Sequence, residues 1–303
     1  MKFNPDADLD SSGVEDTRGS GGGGGGLLPG GMGIPVGGGI GGIILLVVIL
    51  LLNGGLPGVG GGGNDQPVTQ NTAPGNLSSC KKGADLSSNP DCRFVLYQNS
   101  IENFWAAELP RRGKKYSKAP LRVFDGSVST GCGPATSAVG PFYCPPDHRV
   151  YLDIGFFQTL EKELGAKGGN FAEAYVVAHE YGHHIQNLYG ILDRIKTREG
   201  PTSDSVRSEL QADCLAGIWA NHATTVPDKS GRPFISGLTE DDISRGLDAA
   251  ASVGDDRIQE KTQGRVSPEN FSHGTAEQRM KWFKTGLDSG DMTKCDTWSA
   301  NPL

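Results

Sequence analysis

His179-Glu180-Tyr181-Gly182-His183 is the stretch of this chain whose residue types and spacing point most directly to chemistry. Residues four apart on a helix lie one above the other on one face, so His179 and His183 can aim two imidazoles at a single point, as a tetrahedral zinc ion requires. Glu180, one position on, is displaced around the helix. Its carboxylate can reach a water rather than the metal, as a general base for hydrolysis would. The pentapeptide therefore indicates metal-assisted hydrolysis, most often of a peptide bond. The opposing explanation is a chance match on a surface helix, which arises in roughly one chain in a hundred of this length. The context argues against chance. Asn170 reads as an N-cap, Phe171, Ala172, Ala174, Tyr175, Val176 and Ala178 carry an apolar helical pattern, and Gly190 suits the stop.

A catalytic zinc site needs three protein ligands and one open position. The extended H-E-x-x-H-x-x-G-x-x-H pattern is excluded, because Gln186 stands where it requires Gly and no His follows three residues later. Downstream, Ser208-Glu209-Leu210-Gln211-Ala212-Asp213-Cys214 contains E-x-x-x-D, on a helix expected over 203–221. Glu209 would bind the metal, and Asp213 would accept the other ring N–H of a ligating histidine and fix its tautomer. The plain alternative is a solvated Glu/Asp pair, but Leu210, Leu215, Ile218 and Trp219 give this helix a buried face beside Glu209. Asp213 itself and His222 are alternative third ligands. Further on, His273 precedes a helix expected over 275–287 and is a candidate donor to a tetrahedral oxyanion, with Arg279 holding it or the substrate. A surface His at a helix start is the competing reading.

Seven segments taken together resemble the predicted bacterial neutral zinc metallopeptidases: Cys132-Gly133-Pro134, Gly140-Pro141-Phe142-Tyr143-Cys144-Pro145, Val150-Tyr151-Leu152-Asp153, the His179–Gln186 run, Glu209–Gly217, Gly254-Asp255-Asp256-Arg257 and Ser272-His273-Gly274. The resemblance covers the chain from about residue 80 onward. It implies a zincin-type domain of the Glu-ligand kind, with His179, His183 and Glu209 on zinc and Glu180 as catalytic base. The E-x-x-x-D and Ser-His-Gly elements are also similar to the membrane-associated H-E-x-x-H peptidases, which carry Pro where this chain has Gly274.

The rest of the chain bounds this reading. Many of the 46 glycines lie before residue 64, and no charged residue occurs from Gly19 to Asn64. Residues 1–33, acidic and then Gly-rich, hold too little apolar content for a core and are expected to be disordered. Ile34–Leu52, ending in the apolar run from Ile43, would cover roughly 28 Å as a helix, about one bilayer core. It is expected to be a single transmembrane anchor. A signal-peptide core fits less well, because what precedes it is long and acidic. Lys2 and Arg18 precede the span and no Lys or Arg follows within twenty residues. That bias predicts a cytoplasmic N-terminus and a periplasmic or extracellular catalytic domain.

Six cysteines follow the span, an even count that suits disulfides in an exported domain. Cys80/Cys92 and Cys132/Cys144 share one spacing and suggest local bridges, leaving Cys214 with Cys295. Residues 53–76 read as a flexible linker and 77–303 as one domain. The domain is expected to be α+β, zincin-like, with mainly helices and a small sheet. Helices are expected over 94–109 (stopped by Pro110), 239–253 (capping box Thr239/Asp242) and at the segments above. Strands fit 121–124, 141–143 and 149–154, with Val150–Asp153 either a candidate shelf for an extended substrate or a plain interior strand. Asp255-Asp256 reads as a solvated turn. The net charge of −7 without basic runs argues against nucleic-acid binding. The expectation is a membrane-anchored zinc peptidase acting on peptide or protein substrates. The alternative is a non-catalytic membrane-tethered zinc- or peptide-binding module on the same fold.

Overall fold

The computed structural model describes residues 1–19 and 76–303. Strand β1 (Lys2–Phe3) and strand β2 (Val14–Asp16) come from the N-terminal segment. Helix α1 (Cys92–Arg111) follows, then β3 (Leu121–Phe124), a hairpin of β4 (Ser127–Thr130) and β5 (Gly133–Thr136), β6 (Phe142–Cys144) and β7 (Arg149–Asp153). The second half is helical: α2 (Phe156–Lys162), α3 (Asn170–Leu188), α4 (Asp204–His222), then β8 (Ile235–Gly237), α5 (Glu240–Ser252), α6 (Asp255–Gln263) and α7 (Ala276–Ser289). The described residues form a body of helices with a small mixed sheet.

The main sheet has the order β2-β3-β7-β6, parallel except for β6. Two expectations are corrected by it. First, β7 is an interior strand, paired with β3 on one side and β6 on the other, so Val150–Asp153 offers no free edge for a substrate. The outer strand beside the motif helix is β6. Second, residues 1–19 are not disordered. Val14, Glu15 and Asp16 pair with Leu121, Arg122 and Val123, and β1 pairs with β8. Ala7, Leu9 and Val14 are buried in the main core, and Glu15 bridges Arg122 and Arg149.

That pairing also overturns the single-pass topology. A chain that crosses a membrane once between residues 19 and 76 would place β2 and β3 on opposite sides, yet they are neighbours in one sheet. Among the described residues no helix is long and apolar enough to cross a membrane. The anchor expected over 34–52 and most of the linker expected over 53–76 lie outside the described residues.

Local signals explain the helices that carry the motifs. Gly169 rather than Asn170 precedes α3, at φ 101, and Gly190 at φ 68 ends it. The Ser203 hydroxyl accepts from Val206 N at the start of α4, and capping boxes Thr239/Asp242 and Thr275/Gln278 open α5 and α7. Pro110 does not stop α1. Its missing N–H falls in the last turn, and the helix closes after Arg111. Gly182 sets the separation of α3 and α4, since a Cβ there would lie 2.9 Å from Ala212 O. Disulfides join Cys80–Cys92, Cys132–Cys144 and Cys214–Cys295. The last ties α4 to the C-terminal segment.

Candidate metal centre

The close approach of α3 and α4 brings His179, His183 and Glu209 together. One ligand atom from each lies within 4.8 Å of the others, and all three side chains are buried. Glu209 Oε2 is 3.1 Å from His179 Nε2, and Oε1 is 3.4 Å from His183 Nε2. Each histidine commits its other nitrogen elsewhere. His179 Nδ1–H donates to Asp213 Oδ1 at 2.8 Å, one turn along α4 from Glu209. His183 Nδ1–H donates to Gln186 Oε1 at 2.9 Å. Both Nε2 atoms then face carboxylate oxygens, and each such contact needs a proton or a metal ion between the two atoms. The charge of the pocket says the same. Burial opposes a charged His179, but Asp213 and Glu209 outweigh it and push this ring up to about 10. A divalent ion satisfies that field as a proton does, and a His₂Glu donor set suits zinc.

Asp213 is held in turn. Arg279, 1 % exposed, donates through Nε and Nη2 to the two Asp213 oxygens at 2.8 and 2.9 Å, and Tyr175 OH donates to Oδ1 at 2.6 Å. Arg279 therefore grips Asp213 and makes no hydrogen bond to His273. With Oδ1 turned to His179 Nδ1, Asp213 is not placed as the third ligand. His222, the other alternative, ends α4 and stacks on Phe104 at 5.2 Å.

Glu180 is buried beside the cluster. Burial raises its pKa, while the neighbouring histidines and a hydrogen bond from the Tyr143 backbone N–H pull the other way. That N–H belongs to β6, so the outer strand lies against the motif helix. The Tyr143 side chain reaches the same helix. Its hydroxyl donates to His184 Nδ1 at 3.0 Å and accepts from Asn187 Nδ2 at 2.9 Å, while His184 Nε2–H donates to Ser117 O.

His273 is buried as well, and the Asp255-Asp256 pair proves to be no solvated turn. Asp255 Oδ2 accepts from the backbone N–H groups of Ser272, His273 and Gly274 at 2.7, 2.6 and 3.0 Å, and Oδ1 faces His273 Nδ1 at 3.1 Å. Burial disfavours the charged ring, but Asp255 outweighs it and raises the His273 pKa. Asp256 accepts from Ala276 N at the start of α7. Sequence reasoning missed Asp255, Gln186, Tyr143 and Tyr175 as members of the site. Asp255, Tyr143 and Gln186 each lie in a segment singled out by resemblance, but without an assigned role, and Tyr175 reads only as part of an apolar helical pattern. Tyr151, whose hydroxyl donates to Asp147, is engaged elsewhere.

The chain matches the family model described as "Putative neutral zinc metallopeptidase" over residues 5–298. It is 50% identical over 255 residues to "Uncharacterized protein Rv2575" of Mycobacterium tuberculosis, covering 82% of this chain and 86% of that one. It is 41% identical over 206 residues to "Uncharacterized protein YpfJ" of Escherichia coli K12, covering 66% and 68%. No solved structure matches.

Proposed function

The chain belongs to this neutral zinc metallopeptidase family, and from that premise we propose that it is a zinc-dependent peptidase in which His179, His183 and Glu209 hold the metal and Glu180 is the general base. The observation that carries the reading is the pair of Nε2 acceptors facing the Glu209 carboxylate, with Glu180 buried beside them. Zinc, when bound, supplies a Lewis acid for the scissile carbonyl and acidifies water. Glu180 accepts a proton from the attacking water and returns it to the leaving amine, and its raised pKa suits both halves of that task. His273, whose charged form Asp255 favours, supplies a donor to the oxyanion through the nitrogen that Asp255 leaves open. Asp213 and Gln186 orient the two ligating rings, and Arg279 balances the Asp213 charge. A site that kept zinc for stability alone would have no use for the Glu180 carboxylate. Its burial against both histidines favours the catalytic reading over a non-catalytic binding module.

The test is cleavage of a peptide library by the zinc-loaded full chain. Glu180→Gln is expected to keep its zinc and lose about 10²–10⁴-fold in rate. Glu209→Ala is expected to lose the metal. A Glu180→Gln variant that cleaves as fast as the parent sinks the mechanism.

A further inference from the structure

We infer that the tautomer and aim of His183 are set from the C-terminal disulfide through two buried glutamines, Gln186 and Gln211, which act as positioning residues for metal binding. The inference rests on the zinc-binding reading above. Gln186 Nε2 donates to Ser208 O at 2.7 Å and to Gln211 Oε1 at 3.1 Å. A backbone carbonyl can only accept, so the amide must present its nitrogen there and its oxygen to His183. That oxygen then requires His183 to carry its proton on Nδ1, which leaves Nε2 bare toward Glu209. Ser208 Oγ donates to the same oxygen at 3.1 Å.

Gln211 is oriented by a second carbonyl. Its Nε2 donates to Cys295 O at 3.0 Å, which turns its Oε1 toward Gln186. If Cys295 O is withdrawn, Gln211 can rotate its amide, and two NH₂ groups then meet where a donor met an acceptor. Cys295 O is held by the bond from its own side chain to Cys214 on α4 and by the Thr297 backbone N–H, which donates to it at 3.0 Å. Arg207 and Thr297 add further ties: Arg207 Nη1 reaches the carbonyls of Thr297 and Ala300, and Thr297 Oγ1 donates to Arg207 O. Packing does not do this job on the open side. Gln186, Gln211, Leu215 and Cys295 line a cavity of about 300 Å³, so the hydrogen bonds and the disulfide keep the two amides in register.

The experiment measures zinc affinity of the folded full chain by competition with a chelator, a readout independent of turnover. The variants are Gln186→Leu, Gln211→Leu, Cys214→Ala/Cys295→Ala, and Cys80→Ala/Cys92→Ala as a distant disulfide control. Gln186→Leu is expected to weaken zinc by about 10–100-fold, as loss of a ligand's orienting partner does. Gln211→Leu and Cys214→Ala/Cys295→Ala are expected to weaken it in the same direction, and the control to leave it unchanged. In a Gln186→Leu background, removing Cys214–Cys295 is expected to add nothing, since the path to His183 is already cut. General loosening of the fold would not produce that non-additivity. The proposal is overturned if Gln211→Leu and Cys214→Ala/Cys295→Ala bind zinc as the parent does, if the control weakens it equally, or if the combined losses simply add. A parent chain that retains no zinc overturns the peptidase reading itself.

Discussion

Asp255 holds His273 by backbone and ring at once: one carboxylate oxygen takes three consecutive N–H groups, including that of His273, and the other meets His273 Nδ1. A buried carboxylate satisfied this way stays ionised, and its pKa is lowered despite burial. It fixes the path of the Ser272–Gly274 loop and favours the charged form of the ring. Because the folded pKa of His273 is raised, its charged form is present below the unfolded value near 6.5 and is lost as pH rises through the folded value. Asp255→Asn is expected to move the alkaline limb of kcat/KM to lower pH and to reduce turnover by about 10²–10³-fold, as removal of an oxyanion donor does. A pH-rate profile checks it, with zinc content measured in parallel. An unmoved alkaline limb removes His273 from the chemistry.

Gly182 sits between His179 and His183 on α3, where α4 comes closest. A methyl group there meets the carbonyl and side chain of Ala212, and neither can yield without shifting α4. Gly182→Ala is expected to push Glu209 away from the histidines while leaving both helices formed. Overpacking of this kind costs about 1–3 kcal/mol. The expected outcome is near-native helical circular dichroism, lower stability and poor zinc retention. Tight zinc binding by this variant would show that the helix separation does not set the ligand geometry.

The local parts of this site were legible before the structure, because a single helix carries them. The i, i+4 histidines, the Glu209/Asp213 pair on one face and the Thr239/Asp242 capping box all depend on residues within a turn or two of each other. Asp255 depends on a loop 17 to 19 residues downstream folding back onto it, and beside Asp256 it looks like any exposed acid. Strand order is a long-range property too. The alternation that marks β7 as a strand cannot say that β3 and β6 flank it. The N-terminal segment misled for a related reason. Ala7, Leu9 and Val14 are too few to build a core of their own, and composition cannot show that they complete one built by residues far along the chain.

That dependence gives a direct expectation. Removing residues 1–19 strips β2 from the β3 edge and exposes the apolar surface beneath Leu9 and Val14, each worth about 1.5–3 kcal/mol when fully buried. The shortened chain is expected to melt at a markedly lower temperature and to aggregate through the bared strand edge. Thermal unfolding monitored by circular dichroism checks the first. The pairing also requires both ends of the 20–75 segment on one side of any membrane. Epitope tags at the N- and C-termini are therefore expected to share the same protease accessibility in intact cells. Opposite accessibility would mean that β2 and β3 do not pair in the cell.

Arg279 separates charge balance from catalysis. Its guanidinium is fully enclosed, donates to both oxygens of Asp213 and also reaches Tyr175 OH and Val253 O. Burial disfavours its charge, yet Asp213 more than compensates and its pKa rises. Arg279→Met keeps much of the side-chain volume and leaves Asp213 ionised, buried and without its counter-ion. Breaking a buried pair from one side typically costs about 3–5 kcal/mol. The depressed pKa of Asp213 depends on Arg279 first and on His179 next, so its stabilising contribution is present above the unfolded carboxylate value and fades as pH falls through the folded one. Without Arg279 the folded value rises, and stability is expected to fall away at a higher pH than in the parent. Denaturant titrations of parent and variant across acid to neutral pH measure both effects. Zinc, if held by His179 and Glu209 as proposed, would partly replace the missing positive charge. The stability gap is therefore expected to be widest with the metal removed and to narrow on adding zinc. A gap of equal size with and without zinc would mean that Asp213 does not act on the metal through His179.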